Sequence, residues 1–351
     1  MREKTYDGLI MTEKAYREAG VEPIFDRRGQ KKAYFDSLAS KEWFDGFKAP
    51  FRVTVLGLGD VGGTLAIALR TISPDVISEI GIYDLDDNRI KRYEFELNQI
   101  YDLGRKMVPV VKVADSDLFN TDIFIFTASK AVPEVGSAVS DVRMAQFEAN
   151  AGIVRSVMTK AVKSGFKGLF CVVSDPVDLL CQVAKETAVA VSEGAFCPIQ
   201  VKGFGLGVMY ARARYYADKE QLNYFEEKGR VFGPHGKDLI VVNALDHDFN
   251  EATSLRLREK TIRANLAVRD TGYKPYIAPA ISSAAFSIIS LLEGRWHHST
   301  IPFGSQYLGI KNRWTKRGVE IEEHEDNPML RTWIENTLLQ LENDYDTLPD
   351  L

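Results

Sequence analysis

One segment near residue 50 limits the possible folds of this chain more than any other. A short β-branched run at 52–56 leads into the sequence GLGDVGG at 57–63, and an apolar helical run at 64–72 follows directly. This succession predicts a strand, a tight turn and a helix.

The glycines of this turn suit the binding of a dinucleotide. Gly57 permits the tight turn, Gly59 lets the backbone approach a pyrophosphate, and Gly62 lets the helix pack closely on the strand. The free amides at the helix N-terminus would bind the anion. A Gly-x-Gly-x-x-Gly match alone is weak, and a turn without a ligand is the alternative, but the flanking strand and helix favour a binding site.

An acidic residue indicates which dinucleotide binds. A second strand at 80–83 ends at Asp84, whose carboxylate can accept hydrogen bonds from a ribose 2′-hydroxyl. The same carboxylate would repel the 2′-phosphate of NADP, although Arg89 lies nearby. We therefore predict NAD as the cofactor. The predicted cofactor-binding residues are Gly57, Gly59, Asp60, Val61, Gly62 and Asp84.

Strands and helices alternate in the following 120 or so residues, which predicts an α/β fold with a Rossmann-type, doubly wound parallel sheet. Predicted strands lie at 110–113, 123–127, 168–173 and 200–202, and predicted helices at 88–101 and 177–188. A chain of 351 residues exceeds the size at which one core usually stops growing. The expected units are an N-terminal extension at 1–49, an NAD-binding domain at 50–204 and a mixed α+β catalytic domain at 205–351, with a strand at 238–245 and an amphipathic helix at 329–343.

The N-terminal extension has the pattern of helices. Stretches at 12–19 and 32–47 look helical, and aromatic residues such as Tyr34 and Trp43 give the second one an apolar stripe. We expect this helical extension to pack on the body of the protein or on a neighbouring subunit.

Composition excludes several classes of protein. A net charge of −5 argues against a binder of nucleic acid, which would carry a basic stripe. Cys171, Cys181 and Cys197 are scattered and lack metal-ligand spacing, as expected for buried thiols in a reducing compartment. The chain has no apolar run of membrane-spanning length, so we expect a cytoplasmic protein with no membrane partner. We predict no metal, since the adjacent His297 and His298 would project apart, at the surface or an interface.

Several further segments resemble the lactate/malate dehydrogenase family, over about residues 52–323. The matching segments are GLGDVGG (57–63), IYD (82–84), TAS (127–129), DVRMAQFEANAGIV (141–154), VVSDPVDLL (172–180), GFGLGVMYARARYY (203–216), FGPHGKD (232–238) and YLGIKNRWTKRGVEIEE (307–323). Their order and spacing argue against coincidence. The resemblance also implies a homodimer or homotetramer.

The resemblance implies three catalytic positions. His235 matches the histidine that exchanges a proton with the substrate hydroxyl, a task that suits the ordinary pKa of imidazole. Arg212 matches the arginine that binds the substrate carboxylate through two parallel hydrogen bonds. Arg143 matches the arginine that polarises the carbonyl, at the end of a candidate lid at 129–142. The alternative interpretations are a satisfied surface histidine for His235, an ion pair on the helix surface for Arg212 and a solvated loop charge for Arg143.

Two residues depart from the family pattern. The family usually has an aspartate three residues before the carboxylate-binding arginine, where it supports the histidine, but this chain has Met209. The family usually has asparagine where this chain has Asp175, close to the nicotinamide and the substrate. One hypothesis is that Asp175 pairs with His235 from another direction, and another is that it receives an amine on the substrate.

The predicted function is hydride transfer between nicotinamide and C2 of a small 2-hydroxy or 2-oxo carboxylic acid. Malate is disfavoured, because no cation lies between Ala131 and Val142 and Glu134 would oppose a second carboxylate. A monocarboxylate with a neutral or amine-bearing tail fits better. The alternative is an NAD-binding protein, such as a sensor, whose dehydrogenase chemistry is lost or redirected. A third interpretation, a related NAD-dependent glycosidase, is disfavoured because this chain lacks the Cys and His metal positions that such a resemblance would require.

Overall fold

We describe a computed structural model of the chain. The structure describes residues 22–25, 31–35, 47–72, 75–130, 142–303, 306–315, 318–322 and 327–348. Its strands are β1 Glu22–Phe25, β2 Lys31–Phe35, β3 Phe51–Leu56, β4 Ile77–Tyr83, β5 Val110–Lys112, β6 Ile123–Phe126, β7 Leu169–Val172, β8 Val201–Gly203, β9 Arg230–Phe232, β10 Ile240–Val242, β11 His297–Phe303, β12 Gln306–Thr315 and β13 Gly318–Ile321.

The helices lie between the strands and at the end of the described chain. They are α1 Asp60–Ile72, α2 Asp87–Asn98, α3 Val142–Lys163, α4 Val177–Val191, α5 Leu206–Lys219, α6 Phe225–Lys228, α7 Glu251–Arg269, α8 Phe286–Leu292 and α9 Pro328–Tyr345. A π-helical segment, Pro279–Ala285, runs directly into α8. Within the described residues, none of the helices has the length and apolar character needed to cross a membrane.

Eleven of the strands form one mixed sheet in the order β1-β2-β13-β12-β11-β8-β7-β6-β3-β4-β5. The six strands from β8 to β5 are parallel, which confirms the predicted doubly wound sheet. Every residue of β6 and β7 is buried, as expected for central parallel strands covered on both faces. Antiparallel pairing of Thr300 in β11 with Gly203 in β8 extends this sheet into the C-terminal half.

The described part of the N-terminal extension is a β-hairpin, so the helix predicted from Lys32 is wrong at its start. Strand β2 pairs with β1 and also with β13, where Tyr34 lies opposite Val319 and Ala33 opposite Glu320. Strand β13 would otherwise expose unpaired backbone groups, and this edge pairing outweighs the local helical pattern. The extension therefore packs on the body of its own chain. The predicted helix at 12–19 lies outside the described residues.

The histidine pair is also placed differently from the prediction. His297 is buried on β11, and the His298 ring stacks on Tyr210 with 4.5 Å between ring centroids. Burial lowers the pKa of both imidazoles to about 3. Neither ring is at the surface, and no cluster of three or more potential metal ligands occurs in the described part of the chain. The three cysteines are buried and are not joined in disulfides among the described residues.

Lys202 of β8 is a charged group in the centre of the sheet, and it gives a first testable prediction. Its side chain is fully buried, its Nζ donates to Asn312 Oδ1 at 3.2 Å, and the same atom lies 5.2 Å from the centroid of the Trp314 ring. Burial lowers the pKa of this lysine to about 7, against the opposing influence of Cys171 and Cys181. Between this value and its ordinary pKa of 10.5, the unfolded state binds more protons than the folded state.

We therefore expect the free energy of unfolding to rise with pH from about 7 to about 10 through this group. Lys202→Met should remove that part of the rise and stabilise the protein at pH 7 by on the order of a few kcal/mol. Urea unfolding at several pH values measures both effects, with Lys163→Met on the exposed end of α3 as the control. An unchanged pH slope in Lys202→Met would contradict the assignment.

Candidate functional site

The predicted site residues gather at the carboxyl ends of the parallel strands. The glycine turn follows β3, Asp84 follows β4, and Asp175 lies in the loop between β7 and α4. Helix α5 carries Arg212, and His235 lies in the turn between β9 and β10. This edge is where open parallel sheets bind their ligands.

The glycine turn is tightly packed at two positions and open at a third. Gly57 has φ +97°, and a Cβ on Gly62 would lie 1.9 Å from the Gly57 carbonyl oxygen, so neither position accepts a larger residue without a shift. The hydroxyl of Thr127 donates to the same carbonyl at 2.6 Å and braces the turn from the end of β6. A Cβ on Gly59 would meet nothing within 4 Å among the described residues. The exposed backbone at Gly59 thus leaves room for a pyrophosphate.

The carboxylate of Asp84 is held towards this turn. It accepts hydrogen bonds from the amides of Leu58 at 2.7 Å and Asp86 at 3.0 Å, and Arg89 donates to both of its oxygens at 3.3 Å. Burial opposes the charge, but these donors together hold the pKa of Asp84 below its ordinary value. Asp84 is therefore an anion beside the turn, as a ribose-binding residue must be.

The other two predicted cofactor residues begin helix α1. Asp60 is its first residue and Val61 its second. The carboxylate of Asp60 pairs at 3.0 Å with Lys274, which lies beyond α7 in the C-terminal half. Together with the open turn and Asp84, the helix N-terminus fits a dinucleotide.

Alanine substitutions separate the open position of the turn from the packed one. Gly59→Ala should fold normally but raise the dissociation constant for NADH by about tenfold or more, because the methyl group would occupy the pyrophosphate space. Gly62→Ala should weaken NADH binding and also lower the free energy of unfolding by about 1–3 kcal/mol, because the turn must shift. NADH fluorescence titration and thermal unfolding measure the two effects. Gly152→Ala, at an open position on α3, is the control, and unchanged NADH binding by Gly59→Ala would contradict this arrangement.

His235 contacts a carboxylate, and that carboxylate belongs to Asp175. The distance from His235 Nδ1 to Asp175 Oδ1 is 3.0 Å, between residues 60 positions apart in the chain. A carboxylate only accepts, so the imidazole donates through Nδ1, and Nε2 is the nitrogen that can face a substrate. A Cβ on Gly205 would lie 3.2 Å from His235 Cβ, so this glycine lets the histidine approach the start of α5.

Met209 does not take part in that pair. Its side chain is buried on α5, and Arg212 Nη1 lies 3.5 Å from its sulfur. A thioether in contact with Arg212 thus occupies the position where the family usually has the supporting aspartate. Asp175 supplies the carboxylate to His235 instead.

Arg212 is a largely buried cation beside this pair. Burial lowers the pKa of its guanidinium, and the negative charge of Asp175 acts in the opposite direction. Among the described residues no carboxylate lies within ion-pair distance of Arg212, in contrast to Arg214 on the same helix, which pairs with Glu226 at 2.8 Å. The guanidinium of Arg212 can therefore bind an external carboxylate.

Asn150 is a site residue that sequence reasoning did not single out. It is fully buried on α3, accepts from the Lys130 amide at 3.0 Å, and donates to the Asp175 carbonyl oxygen at 2.8 Å. This amide links the chain after β6 to the loop that carries Asp175. In the sequence, only its position seven residues after Arg143 pointed to Asn150 as a site residue. Arg143 lies in the first turn of α3, but its side chain and most of the candidate lid, 131–141, lie outside the described residues.

Comparison with known proteins identifies relatives of this chain. A family described as "lactate/malate dehydrogenase, NAD binding domain" matches residues 51–196. The L-lactate dehydrogenase of Staphylococcus saprophyticus is 27% identical over 194 residues, which is 54% of this chain and 56% of that protein. L-lactate dehydrogenase 2 of Lactococcus lactis is 28% identical over 193 residues, or 54% of this chain and 57% of the relative. The chain thus aligns with somewhat more than half the length of the curated relatives that it matches.

Solved structures share the fold over a larger part of the chain. A lactate dehydrogenase from a Medee basin deep-sea metagenome library superposes with a TM-score of 0.70 at 19% identity, covering 85% of this chain and 98% of that one. The minor L-lactate dehydrogenase of Enterococcus mundtii gives the same TM-score and coverage at 20% identity. At these identities the superposition shows the fold alone.

Proposed function

Because residues 51–196 match the NAD-binding domain of the lactate/malate dehydrogenase family, we propose that the chain is an NAD-dependent oxidoreductase. Its reaction would interconvert a small 2-hydroxy acid and the corresponding 2-oxo acid. The observation that carries this proposal is the 3.0 Å contact between His235 and Asp175. This contact would give His235 the carboxylate partner that Met209 cannot provide.

Each polar residue then has a chemical role. Arg212 would bind the substrate carboxylate with two parallel hydrogen bonds, which fixes the orientation of C2. NADH supplies a hydride when it is bound. His235 would deliver a proton from Nε2 to the carbonyl oxygen, while the Asp175 carboxylate stabilises the imidazolium form and fixes its orientation. Arg143 would polarise the carbonyl from the end of the lid.

Electrostatics favour a monocarboxylate over malate in this proposal. The Asp175 side chain is 46% exposed and contacts His235, so its negative charge would act on a substrate bound beside the histidine. A second substrate carboxylate would be repelled there, and no lysine or arginine occurs between residues 131 and 142 to offset the repulsion. The substrate would be an acid with a neutral or cationic tail.

A second candidate function rests on Met209. Its buried sulfur packs against Arg212 in place of a carboxylate, which favours a redirected chemistry or an NAD-binding sensor. In that case NADH would bind, but no 2-oxo acid would be reduced.

We further propose a cytoplasmic homodimer or homotetramer, with an NAD-binding domain at 50–204 and a catalytic domain at 205–351. The buried, scattered cysteines suit a reducing compartment. Sedimentation of the purified protein would give its oligomeric state.

Steady-state oxidation of NADH with a panel of 2-oxo acids tests the proposed function. Pyruvate and 2-oxobutanoate should be reduced, oxaloacetate should be reduced more slowly, and His235→Asn should abolish the reaction without preventing NADH binding. NADH binding without reduction of any acid by the wild type would support the second candidate. Faster reduction of oxaloacetate than of the monocarboxylates would contradict the assigned charge preference.

A further inference from the structure

The carboxylate that supports His235 lies in an unusual place for this family. At position 209 it would be buried on α5, where the Met209 side chain is only 1% exposed. At position 175 the side chain is 46% exposed, in the loop at the carboxyl end of β7. The negative charge therefore lies in a half-exposed loop at the ligand-binding edge of the sheet, on the Nδ1 side of His235.

The described residues occupy only part of this carboxylate. Asp175 Oδ1 accepts from His235, and no described residue donates a hydrogen bond to Oδ2. The backbone is fixed by Asn150, which donates to the Asp175 carbonyl, while the Ser174 hydroxyl donates to the Ala128 carbonyl at 2.7 Å. A rigid loop thus presents a carboxylate oxygen that can accept a hydrogen bond from a ligand.

Arg212, the positive charge of the site, lies near enough to Asp175 to feel its negative charge. The negative charge of Asp175 raises the pKa of Arg212, against the larger lowering caused by burial. Arg212 would hold a substrate carboxylate, and Asp175 lies beside the histidine that contacts the reacting oxygen. A ligand that matches both groups carries a carboxylate at one end and a cation near its reacting carbon.

We propose that the substrate is an amino-substituted 2-hydroxy acid, with its ammonium group one carbon beyond the hydroxyl-bearing C2. The ammonium nitrogen would donate to Asp175 Oδ2 while Arg212 binds the carboxylate. In the oxidation, the C2–H bond breaks and its hydride passes to NAD⁺, the hydroxyl proton passes to His235 Nε2, and C2–O becomes a carbonyl. This inference rests on the proposed function and names its substrate class.

Three acids of similar size test the proposal with the wild-type protein. They are 3-amino-2-hydroxypropanoate, 2-hydroxybutanoate and malate, which place an ammonium, a methyl and a carboxylate at the same position. With NAD⁺, we expect kcat/KM for 3-amino-2-hydroxypropanoate to exceed that for 2-hydroxybutanoate by about tenfold or more. The value for malate should be the lowest of the three. Equal or faster oxidation of 2-hydroxybutanoate would overturn the inference and leave the proposed function intact. If none of the three were oxidised while NAD⁺ bound, the proposed function itself would be wrong.

A charge-swap variant shows whether Asp175 is the cause of the preference. Asp175→Asn combined with Met209→Asp moves the carboxylate from the half-exposed loop after β7 to the buried face of α5. Whatever its absolute rate, the ratio of kcat/KM between the amino acid and 2-hydroxybutanoate should fall to about one. Asp218→Asn, at an exposed position of α5, should leave the ratio unchanged. A ratio that stays high in the double variant would overturn the role given to Asp175.

Ligand binding gives a second test if that variant fails to fold. With NADH present, 3-aminopropanoate should inhibit the wild type at lower concentration than butanoate, and succinate should inhibit least. The reverse order would overturn the inference.

Discussion

Asp175→Asn should lower kcat for 2-oxo acid reduction by about 10²–10⁴-fold, because a comparable substitution beside a catalytic histidine causes a loss of this size. The amide can still form a hydrogen bond with His235, but it carries no charge to stabilise the imidazolium form. It can also hold the ring in the wrong tautomer by donating to Nδ1. Binding of NADH should change little, since the glycine turn and Asp84 belong to other loops. Steady-state kinetics at saturating NADH measure the loss.

Restoring a carboxylate on α5 provides the matched control. Met209→Asp in the Asp175→Asn background should recover about tenfold or more of the lost kcat, because His235 regains a charged partner. Asp218→Asn should keep the wild-type rate. If Asp175→Asn kept a kcat within about threefold of the wild type, the His235–Asp175 pair would not be part of the catalytic machinery.

Arg212→Gln should lower kcat/KM for 2-oxo acids by about 10²–10⁴-fold, since it removes two charge-assisted hydrogen bonds to the substrate carboxylate. Most of the effect should appear in KM, with a smaller loss of kcat from poorer orientation of C2. Arg212→Lys should recover only part of the loss, because an ammonium group cannot form the two parallel hydrogen bonds.

Arg214→Gln is the control for this prediction, as Arg214 lies on the same helix and pairs with Glu226 at the exposed surface. It should change kcat/KM by less than about twofold. Equal losses in the two variants would indicate a general effect on α5 and would argue against a carboxylate site at Arg212.

Local sequence patterns were sufficient to predict the parallel half of the fold. Strands β6 and β7 are continuous apolar runs, β3 is a largely β-branched run, and the glycine turn after β3 has a fixed backbone requirement at Gly57 and Gly62. Such features depend on neighbouring residues alone, so they can be recognised without the rest of the structure. The position of Asp84 at the end of β4 follows from the same pattern.

Features that depend on distant partners were harder to predict. The strand at 31–35 forms because β13, almost 300 residues later, offers an unpaired edge, and its own sequence also permits a helix. The burial of His297 is set by β12 and its Asn312, which lies opposite it in the sheet. No local pattern contains that information.

In the candidate site, too, the residue types could be predicted from the sequence, but the contacts between distant residues could not. The residue types at positions 175, 212 and 235 suggested their chemistry, and pairing of Asp175 with His235 was one of two hypotheses. The choice of His235 Nδ1 and Asp175 Oδ1 as partners depends on the path of two loops 60 residues apart. The link from Asn150 to the Asp175 carbonyl also depends on that tertiary packing.

The most direct test of the central claim is to follow the hydride itself. NADH carrying deuterium on the transferred position of C4 would be incubated with 2-oxobutanoate and the wild-type protein, and the product would be analysed by mass spectrometry and NMR. We predict 2-hydroxybutanoate with one deuterium on C2, formed far more slowly by Asp175→Asn and by Arg212→Gln. Bound NADH with no deuterium in any 2-hydroxy acid product, across the full panel of 2-oxo acids, would contradict the account.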